Sequence, residues 1–142
     1  MSSTSPTNFT HAAQPAQQWV NELAEELDWP QPRAYHLLRS VLQALRDWLS
    51  LEEMSDLSSQ LPVLVRGVYF ESWKPARNPL LRRKKEDFVT RIQDAFADDL
   101  LSEPEAAITA VFRLLDRHVS RGEIVQVRNS MKKSLRDLWP AD

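Results

Sequence analysis

A tryptophan and a group of basic residues form the most conspicuous polar feature of this chain. The group comprises Trp73, Arg77, Arg82, Arg83, Lys84, Lys85, Lys132, Lys133 and Arg136. Lysine and arginine side chains bind phosphate groups, and an exposed indole ring can stack on a nucleic-acid base. The same side chains can contact an acidic protein surface. A third interpretation, which the sequence favours, is that the run from Arg82 to Lys85 is the exposed start of a helix whose apolar face begins at Phe88.

Histidine and carboxylate residues usually carry acid–base and metal chemistry, but their spacing here favours neither. His11, His36 and His118 each lack a second histidine three or four residues away, so no helical two-histidine metal motif is present. Two acidic groups, at 25–28 and 98–99, fall at predicted helix ends and are interpreted as solvated surface. The absence of cysteine excludes thiolate ligands and disulfide bonds. We therefore predict no catalytic residue, no metal site, no cofactor and no enzymatic activity.

Composition and charge limit the class of protein further. The 142 residues carry a net charge of −2 and only two glycines, which argues against a glycine-rich phosphate-binding loop. No stretch approaches the length of about 18 apolar residues that a membrane-spanning helix requires. Residues 1–18 lack the basic and apolar regions of a secretory signal. Their polar composition predicts a flexible tail over residues 1–15, and we expect a cytoplasmic protein without membrane contact.

The elements that must position these residues are predicted to be helices. Apolar residues recur three and four positions apart through about 16–27, 33–49 and 83–100, as on the buried face of an amphipathic helix. Prolines separate the segments, because Pro32 and Pro104 suit the first turn of a helix and Pro62 predicts a kink or a new helix start. The prediction is an all-α fold of about eight helices.

Two stretches of the chain match one another at an offset of 70 residues. The segment from Ser50 to Glu53 corresponds to the segment from Ser120 to Glu123, and the apolar residues around them also correspond. Such self-similarity predicts two copies of one structural unit. We therefore expect two tandem four-helix repeats, 16–70 and 83–140, joined by a linker at 71–82 and packed into one domain. Each serine is predicted to cap a helix, with the glutamate returning a bond to the serine amide.

Several single residues carry expectations about packing. Lys132 takes the place of Pro62, so the corresponding helix of the second repeat is expected to bend less. Gly67 lies inside a predicted helix, where glycine costs about 1 kcal/mol relative to alanine, and close helix packing is the expected reason. Trp29 and Trp73 lie in loops, where each either packs its loop onto the helices or, if exposed, anchors a partner.

Short motifs extend along nearly the whole chain. They are Arg33-Ala34-Tyr35, the segment from Leu38 to Asp47, Gln60-Leu61-Pro62, Arg66-Gly67 with Tyr69, Trp73, Val111-Phe112, Gly122-Glu123 and Leu138-Trp139-Pro140. Together they resemble the bacterial domain-of-unknown-function family 2267. The second half departs from the pattern, since Met131-Lys132 stands where many members have a proline element. The resemblance implies a small, all-helical, cytosolic protein and brings no established activity or site residue.

The sequence therefore favours a non-enzymatic helical module that binds another protein or a second copy of itself. Nucleic-acid binding through the basic linker is the first alternative. The second is a carrier of an apolar ligand held between the repeats, or an enzyme.

Overall fold

The described residues of the protein fold into helices joined by short connections. The computed structural model describes residues 4–80, 84–131 and 133–140, and no strand occurs among them. The α-helices are α1 Thr4–Leu27, α2 Gln31–Trp48, α3 Leu51–Ser58, α4 Val63–Phe70, α5 Lys85–Ala95, α6 Pro104–His118, α7 Arg121–Ser130 and α8 Lys133–Arg136, with a 3-10 turn at Pro75–Arg77. The predicted all-α class is confirmed. Within these ranges, no helix has both the length and the apolar character needed to cross a bilayer.

The centre of the molecule lies between α2 and α6, which contact one another and contribute more buried apolar side chains than any other two helices. Those of α2 include Leu37, Leu38, Val41, Leu42 and Leu45, and those of α6 include Ile108, Val111, Phe112, Leu114 and Leu115. Aromatic rings join these two helices to the C-terminal segment and to α5. Phe112 stacks on Trp139 with ring centroids 4.3 Å apart, and Phe88 meets Trp48 edge-on at 5.1 Å.

Helices of the two halves of the chain contact each other reciprocally. In one direction α1 contacts α6, and in the other α5 contacts α2. Further contacts between the halves join α2 with α6 and α3 with α7. Each half therefore covers the apolar face of the other half.

The first helix begins earlier than predicted. It starts at Thr4 rather than near Ala16, so the predicted flexible tail is helical from its fourth residue onward. Pro15 lies within the helix. The polar composition of this segment concealed a helical pattern, because Phe9, Ala13, Ala16 and Val20 recur at intervals of four, three and four residues.

Both halves break between their third and fourth helices. Pro62 immediately precedes α4, as predicted. In the second half α7 nevertheless ends at Ser130, and the expectation of a straighter helix there is wrong. Lys132 itself lies outside the described residues, but Met131 before it adopts an extended backbone with φ −88° and ψ 150°. Its sulfur accepts a hydrogen bond from the buried Trp139 indole at 2.9 Å, which accounts for the turn without a proline.

The two predicted serine caps are present, but only in half of their predicted form. Ser50 Oγ accepts a hydrogen bond from the Glu53 amide at 3.2 Å, and Ser120 Oγ accepts one from the Glu123 amide at 3.3 Å. Among the described residues neither glutamate returns a bond to its serine amide. The Ser120 amide instead donates to Gln60 Oε1 at 2.8 Å, so a side chain of the first half completes the cap of the second.

Candidate functional site

The predicted interaction surface divides into two partly buried residues, Trp73 and Lys85, and several exposed ones. Trp73 is partly buried and packs against the core. The exposed members of the group are Arg77, Lys84, Lys133 and Arg136. The members that lie outside the described residues are Arg82, Arg83 and Lys132. The indole ring therefore does not stand free beside the exposed cations.

Trp73 fastens the linker to the end of α2. Its indole Nε1 donates a hydrogen bond to Asn78 Oδ1 at 2.7 Å. The Asn78 amide nitrogen then donates to the carbonyl oxygens of Arg46 and Leu49, at 2.6 and 3.0 Å. The Trp73 ring also meets the Phe70 ring at 5.5 Å. These contacts agree with the prediction that Trp73 packs its loop onto the helices, since its N–H is used within the chain.

A buried ion cluster lies beneath the linker. Arg46 Nε and Nη2 donate to the two carboxylate oxygens of Asp47, at 2.9 and 3.2 Å, and Arg91 Nη2 donates to Asp47 Oδ2 at 2.8 Å. Arg46 Nη1 also donates to the carbonyl oxygens of Tyr69 and Glu71 at the end of α4, each at 2.8 Å. Burial raises the pKa of Asp47, but the hydrogen bonds from the arginines outweigh it and hold this pKa below its ordinary value. The cluster therefore joins α2, α4, α5 and the linker as a structural unit.

Cations near the start of α5 lie among carboxylates. Lys85 Nζ is 2.9 Å from Glu105 Oε1, and this hydrogen bond raises the pKa of Lys85. The charges of Asp137 and Glu86 act on Lys85 in the same direction. Nucleic-acid binding depends on a concentrated positive field. The mixture of signs around Lys85 therefore weakens this region as a phosphate-binding surface.

His118 belongs to a polar contact between α1 and α6. Its ring stacks on Trp19 at 4.9 Å, and its Nε2 is 3.0 Å from both carboxylate oxygens of Glu22. Arg117 Nε donates to Glu22 Oε1 at 3.1 Å. Burial raises the pKa of Glu22, but hydrogen bonds from His118, Gln18 and Arg117 outweigh it and lower this pKa overall. His118 therefore serves the helix contact at the end of α6.

His36 lies in a second contact, between α2 and the end of α5. Its Nε2 donates to the Ala95 carbonyl oxygen at 2.6 Å, and its ring is 4.5 Å from the Phe96 ring. Nearby, Arg33 Nη1 donates to Asp99 Oδ2 at 2.9 Å. Across the part of the chain that the structure describes, no group of three or more histidine, aspartate or glutamate side chains is placed to hold a metal ion.

Two glutamates meet where α3 contacts α7. Glu53 and Glu123 each have an Oε2 atom that is buried without a hydrogen-bond partner among the described residues. Burial raises the pKa of Glu123, and the charges of Glu53 and Asp56 raise it further. Burial also raises the pKa of Glu53, with added effects of Asp56 and Glu52. The negative charge of Glu53 therefore disfavours ionisation of Glu123.

An apolar groove lies between α1, α2 and α4. It has a volume of about 310 Å³ and is lined by Ala13, Ala16, Gln17, Val20, Tyr35, Leu38, Leu64, Val65 and Val68. None of these residues carries a charge. Tyr35 and Leu64 keep 40% and 46% of their surface exposed, so apolar area extends beyond the groove. Because the groove lies within the first half, it differs from the site between repeats in which an apolar ligand was expected.

Beside the groove, the exposed side of α4 carries apolar side chains and, at Gly67, no side chain at all. Val63 is 57% exposed. A Cβ atom added to Gly67 would meet no atom within 4 Å, so the prediction that Gly67 permits close packing within the chain is wrong. The position is exposed because the packed side of α4 carries Val65 and Tyr69 instead. The chain thus carries a helix-weakening residue where its own packing does not require one.

Sequence reasoning missed the groove, although one signal pointed to it. Val63, Leu64 and Val65 are consecutive apolar residues in a helix. Successive helical side chains point about 100° apart, so three in a row cannot all face one core. The three consecutive residues therefore favoured either burial on several sides or exposure of at least one, and in the structure Val63 and Leu64 are exposed.

The motifs that carry the family resemblance hold helix ends together. Arg66 Nε and Nη2 donate to the carbonyl oxygens of Ser58 and Leu61 at the end of α3, at 2.8 and 2.9 Å. The Tyr69 hydroxyl donates to the Met54 carbonyl oxygen at 3.0 Å, and burial raises its pKa. With the Gln60 and Trp73 contacts, these bonds explain the motifs as parts of the fold.

Comparison with known protein families agrees with the resemblance that these motifs indicated. The family described as "Uncharacterized conserved protein (DUF2267)" matches residues 16–138, from the part of α1 that reaches the core to the residues after α8. No curated protein matches the chain. Since the match covers most of the chain, the protein belongs to the DUF2267 family of uncharacterized conserved proteins.

Proposed function

We propose that this protein is a non-catalytic, cytoplasmic helical module that binds an uncharged, apolar helix of a protein partner in the groove between α1, α2 and α4. The observation that carries the proposal is the groove itself, whose lining has no charged residue and whose rim exposes Tyr35 and Leu64. Apolar surface that remains contiguous and concave is a common mark of a binding site.

The walls of the groove favour a helix as the ligand. Three helices form them, and an amphipathic helix places side chains at intervals of three and four residues into such a groove. Gly67 supports this interpretation, because glycine inside a helix costs about 1 kcal/mol relative to alanine and no contact within the chain accounts for it. A partner that approaches α4 here would meet backbone rather than a side chain.

A non-catalytic role is supported by how the chemically capable side chains are used. His36 and His118 each use one ring nitrogen in a contact between helices. Asp47 is neutralised by two arginines. None of these three groups faces the apolar groove, whose lining residues are all uncharged.

We also propose that the two halves are tandem copies of one four-helix unit. The reciprocal contacts of α1 with α6 and of α5 with α2 support this, as does the pairing of α3 with α7. The serine caps at Ser50 and Ser120 lie at corresponding positions. The groove then marks a difference between the copies, since it depends on α4, which has eight residues where α8 has four.

Cross-linking from the groove tests the proposal. A photo-reactive amino acid in place of Leu64 is expected to capture a discrete protein in the native cell. The same substitution at Leu100, which is 62% exposed and lies in the connection between α5 and α6, provides the matched control. The captured segment, made as a peptide, should bind the unmodified chain at least about tenfold more tightly than the Leu64→Asp variant, because a charge would enter an apolar contact. Equal binding by both, or equal cross-linking from both positions, would contradict the proposal.

The exposed cations give nucleic-acid binding as a second candidate. Arg77, Lys84, Lys133 and Arg136 are exposed, and no salt bridge is recorded for them within the described ranges. Binding of this kind should weaken steeply as salt rises. A double variant, Lys133→Gln with Arg136→Gln, should reduce the slope of that dependence. Absence of any oligonucleotide complex at low salt would remove this candidate.

A further inference from the structure

The first twelve residues of α1 form an overhang with an exposed apolar stripe. We name the segment 4–15 the overhang. Phe9 is 74% exposed, the largest exposed fraction recorded for an apolar side chain in the described part of the chain. Phe9 lies on the same side of the helix as Ala13, Ala16 and Val20, which line the groove. The groove and the projecting ring therefore belong to one continuous surface.

The overhang has little to stabilise it within the chain. Most residues from Asn8 to Gln18 are exposed. Threonine and asparagine are weak helix formers, and Pro15 removes one helical hydrogen bond. Helical segments of about 12 residues are marginal in water without tertiary packing. Contact with another chain would supply the missing packing.

The charges of this surface favour a second copy as the partner. From Thr4 to Asn21 the chain contains no aspartate, glutamate, lysine or arginine. His11 projects about 200° around the helix from Phe9 and so points away from the stripe. Because the groove lining is uncharged as well, two copies can bring overhang and groove together without burying a charge. An overhang of twelve residues is about 18 Å long, which suffices to lie along a groove between helices.

We propose that two copies of this chain pair about a two-fold axis, with the overhang and Phe9 of each copy seated in the groove of the other. The pairing is isologous, because the overhang and the groove lie side by side on each copy and both copies use the same two surfaces. The inference rests on the proposed function of the groove and names its occupant. The overhang precedes residues 16–138, which the family model matches, so the pairing uses a segment outside the matched range.

Sedimentation equilibrium of the full chain across the micromolar range tests the pairing. The unmodified chain should be a dimer that dissociates on dilution. Phe9→Ser should raise the dissociation constant about 100-fold or more, because each dimer contains two copies of the change. Leu100→Ser removes a similarly exposed apolar side chain away from the groove and should leave the dimer unchanged.

The absence of cysteine allows a test of geometry as well. A Phe9→Cys variant mixed with a Leu64→Cys variant, whose own Phe9 still anchors the mixed pair, should form a disulfide between the two chains under mild oxidation at concentrations well above the dissociation constant. Phe9→Cys mixed with Leu100→Cys should not, since the groups would lie too far apart to bridge. All three positions are exposed, and circular dichroism confirms that each variant is folded before mixing.

The outcomes separate this inference from the proposed function. A monomeric chain whose Leu64 position still captures another protein would overturn the self-pairing and keep the groove as a binding site. A dimer that Phe9→Ser leaves intact, or equal disulfide formation in the two mixtures, would also overturn the pairing. Dimerisation lost in Phe9→Ser and kept in Leu100→Ser, with the 9–64 disulfide, supports it.

Discussion

Two buried carboxyl groups in this protein respond to burial in opposite ways. Asp47 is fully buried and accepts hydrogen bonds from Arg46 and Arg91. Glu123 is 8% exposed, and one of its oxygens has no partner among the described residues. Burial raises the pKa of both groups, but the arginines lower the pKa of Asp47 overall, whereas Glu53 raises the pKa of Glu123 further. The charged residues next to each carboxyl group therefore decide whether its pKa is raised or lowered.

The comparison shows that two buried carboxyl groups can affect stability differently. The Asp47 cluster holds the linker and the end of α4 in place, so its charges are structural. Glu53 and Glu123 lie in the first turns of α3 and α7, where a negative charge is favoured by the helix dipole. The contact between these helices brings the two charges together. Each carboxylate therefore stabilises the start of its own helix but destabilises the contact between α3 and α7.

The largest expected effect follows from breaking the Asp47 cluster. Asp47→Asn should lower the free energy of unfolding by about 3 kcal/mol, because Arg46 would remain buried without a negative partner. Urea unfolding followed by circular dichroism measures the change. Glu52→Gln, at an exposed position of α3, is the control and should change stability little. A loss in Asp47→Asn no larger than that of the control would show that the cluster is not a structural unit.

The second effect has the opposite sign. Glu123→Gln should raise the free energy of unfolding at pH 7 by about 1 kcal/mol, the scale on which one unpaired buried group destabilises a fold. It removes the charge that faces Glu53 and keeps the size of the side chain. The same urea experiment measures it. A loss of stability instead would mean that the ionised Glu123 has a partner that helps the fold.

Asp47 and Glu123 should also contribute slopes of opposite sign to the pH dependence of the free energy of unfolding. Because the pKa of Glu123 is raised, the folded chain binds this proton more tightly, and stability falls as pH rises from about 4.3 toward that raised pKa. Because the pKa of Asp47 is lowered, its contribution is present above about 3.9 and is lost as pH falls below that value. Unfolding measured from acid to neutral pH should show the first slope reduced in Glu123→Gln and the second reduced in Asp47→Asn. Identical profiles for the two variants would contradict this expectation.

The smallest effect distinguishes the two arginines of the cluster. Arg91→Met should cost about 0.5 kcal/mol, because the Arg91 side chain is 36% exposed and Arg46 still neutralises Asp47. Arg46→Met removes the buried partner and should cost several times more. Urea unfolding of the two variants shows which arginine contributes more to the free energy of unfolding. Equal losses would assign the role to both arginines alike.

Local features of this fold were accessible from sequence because they depend on neighbouring residues. The serine hydroxyl at each cap accepts a hydrogen bond from the amide three residues later, and Pro62 restricts its own backbone. Contacts between distant segments were not accessible. Gln60, which lies 60 residues before Ser120, accepts the hydrogen bond from the Ser120 amide that Glu123 was predicted to accept. Asn78, in the linker, donates to the carbonyl oxygen of Arg46 in α2.

The candidate site was less accessible than the fold. The basic run drew attention because charge stands out in a sequence, yet Lys85 is paired with Glu105. The groove consists of ordinary apolar residues from three helices, and only packing shows which of them remain exposed. Leu64 and Val65 are adjacent in the chain, but one is 46% exposed and the other 4%.

By itself, the sequence of this protein determined its all-helical class, the serine side of its two helix caps and its family, because these depend on short-range spacing and backbone chemistry. Tertiary structure alone decided that α1 extends to an exposed Phe9, that Glu53 and Glu123 meet, and that α1, α2 and α4 leave an apolar groove. The reason is physical: spacing along a helix sets which side chains share a face, but burial depends on what the rest of the chain places against that face.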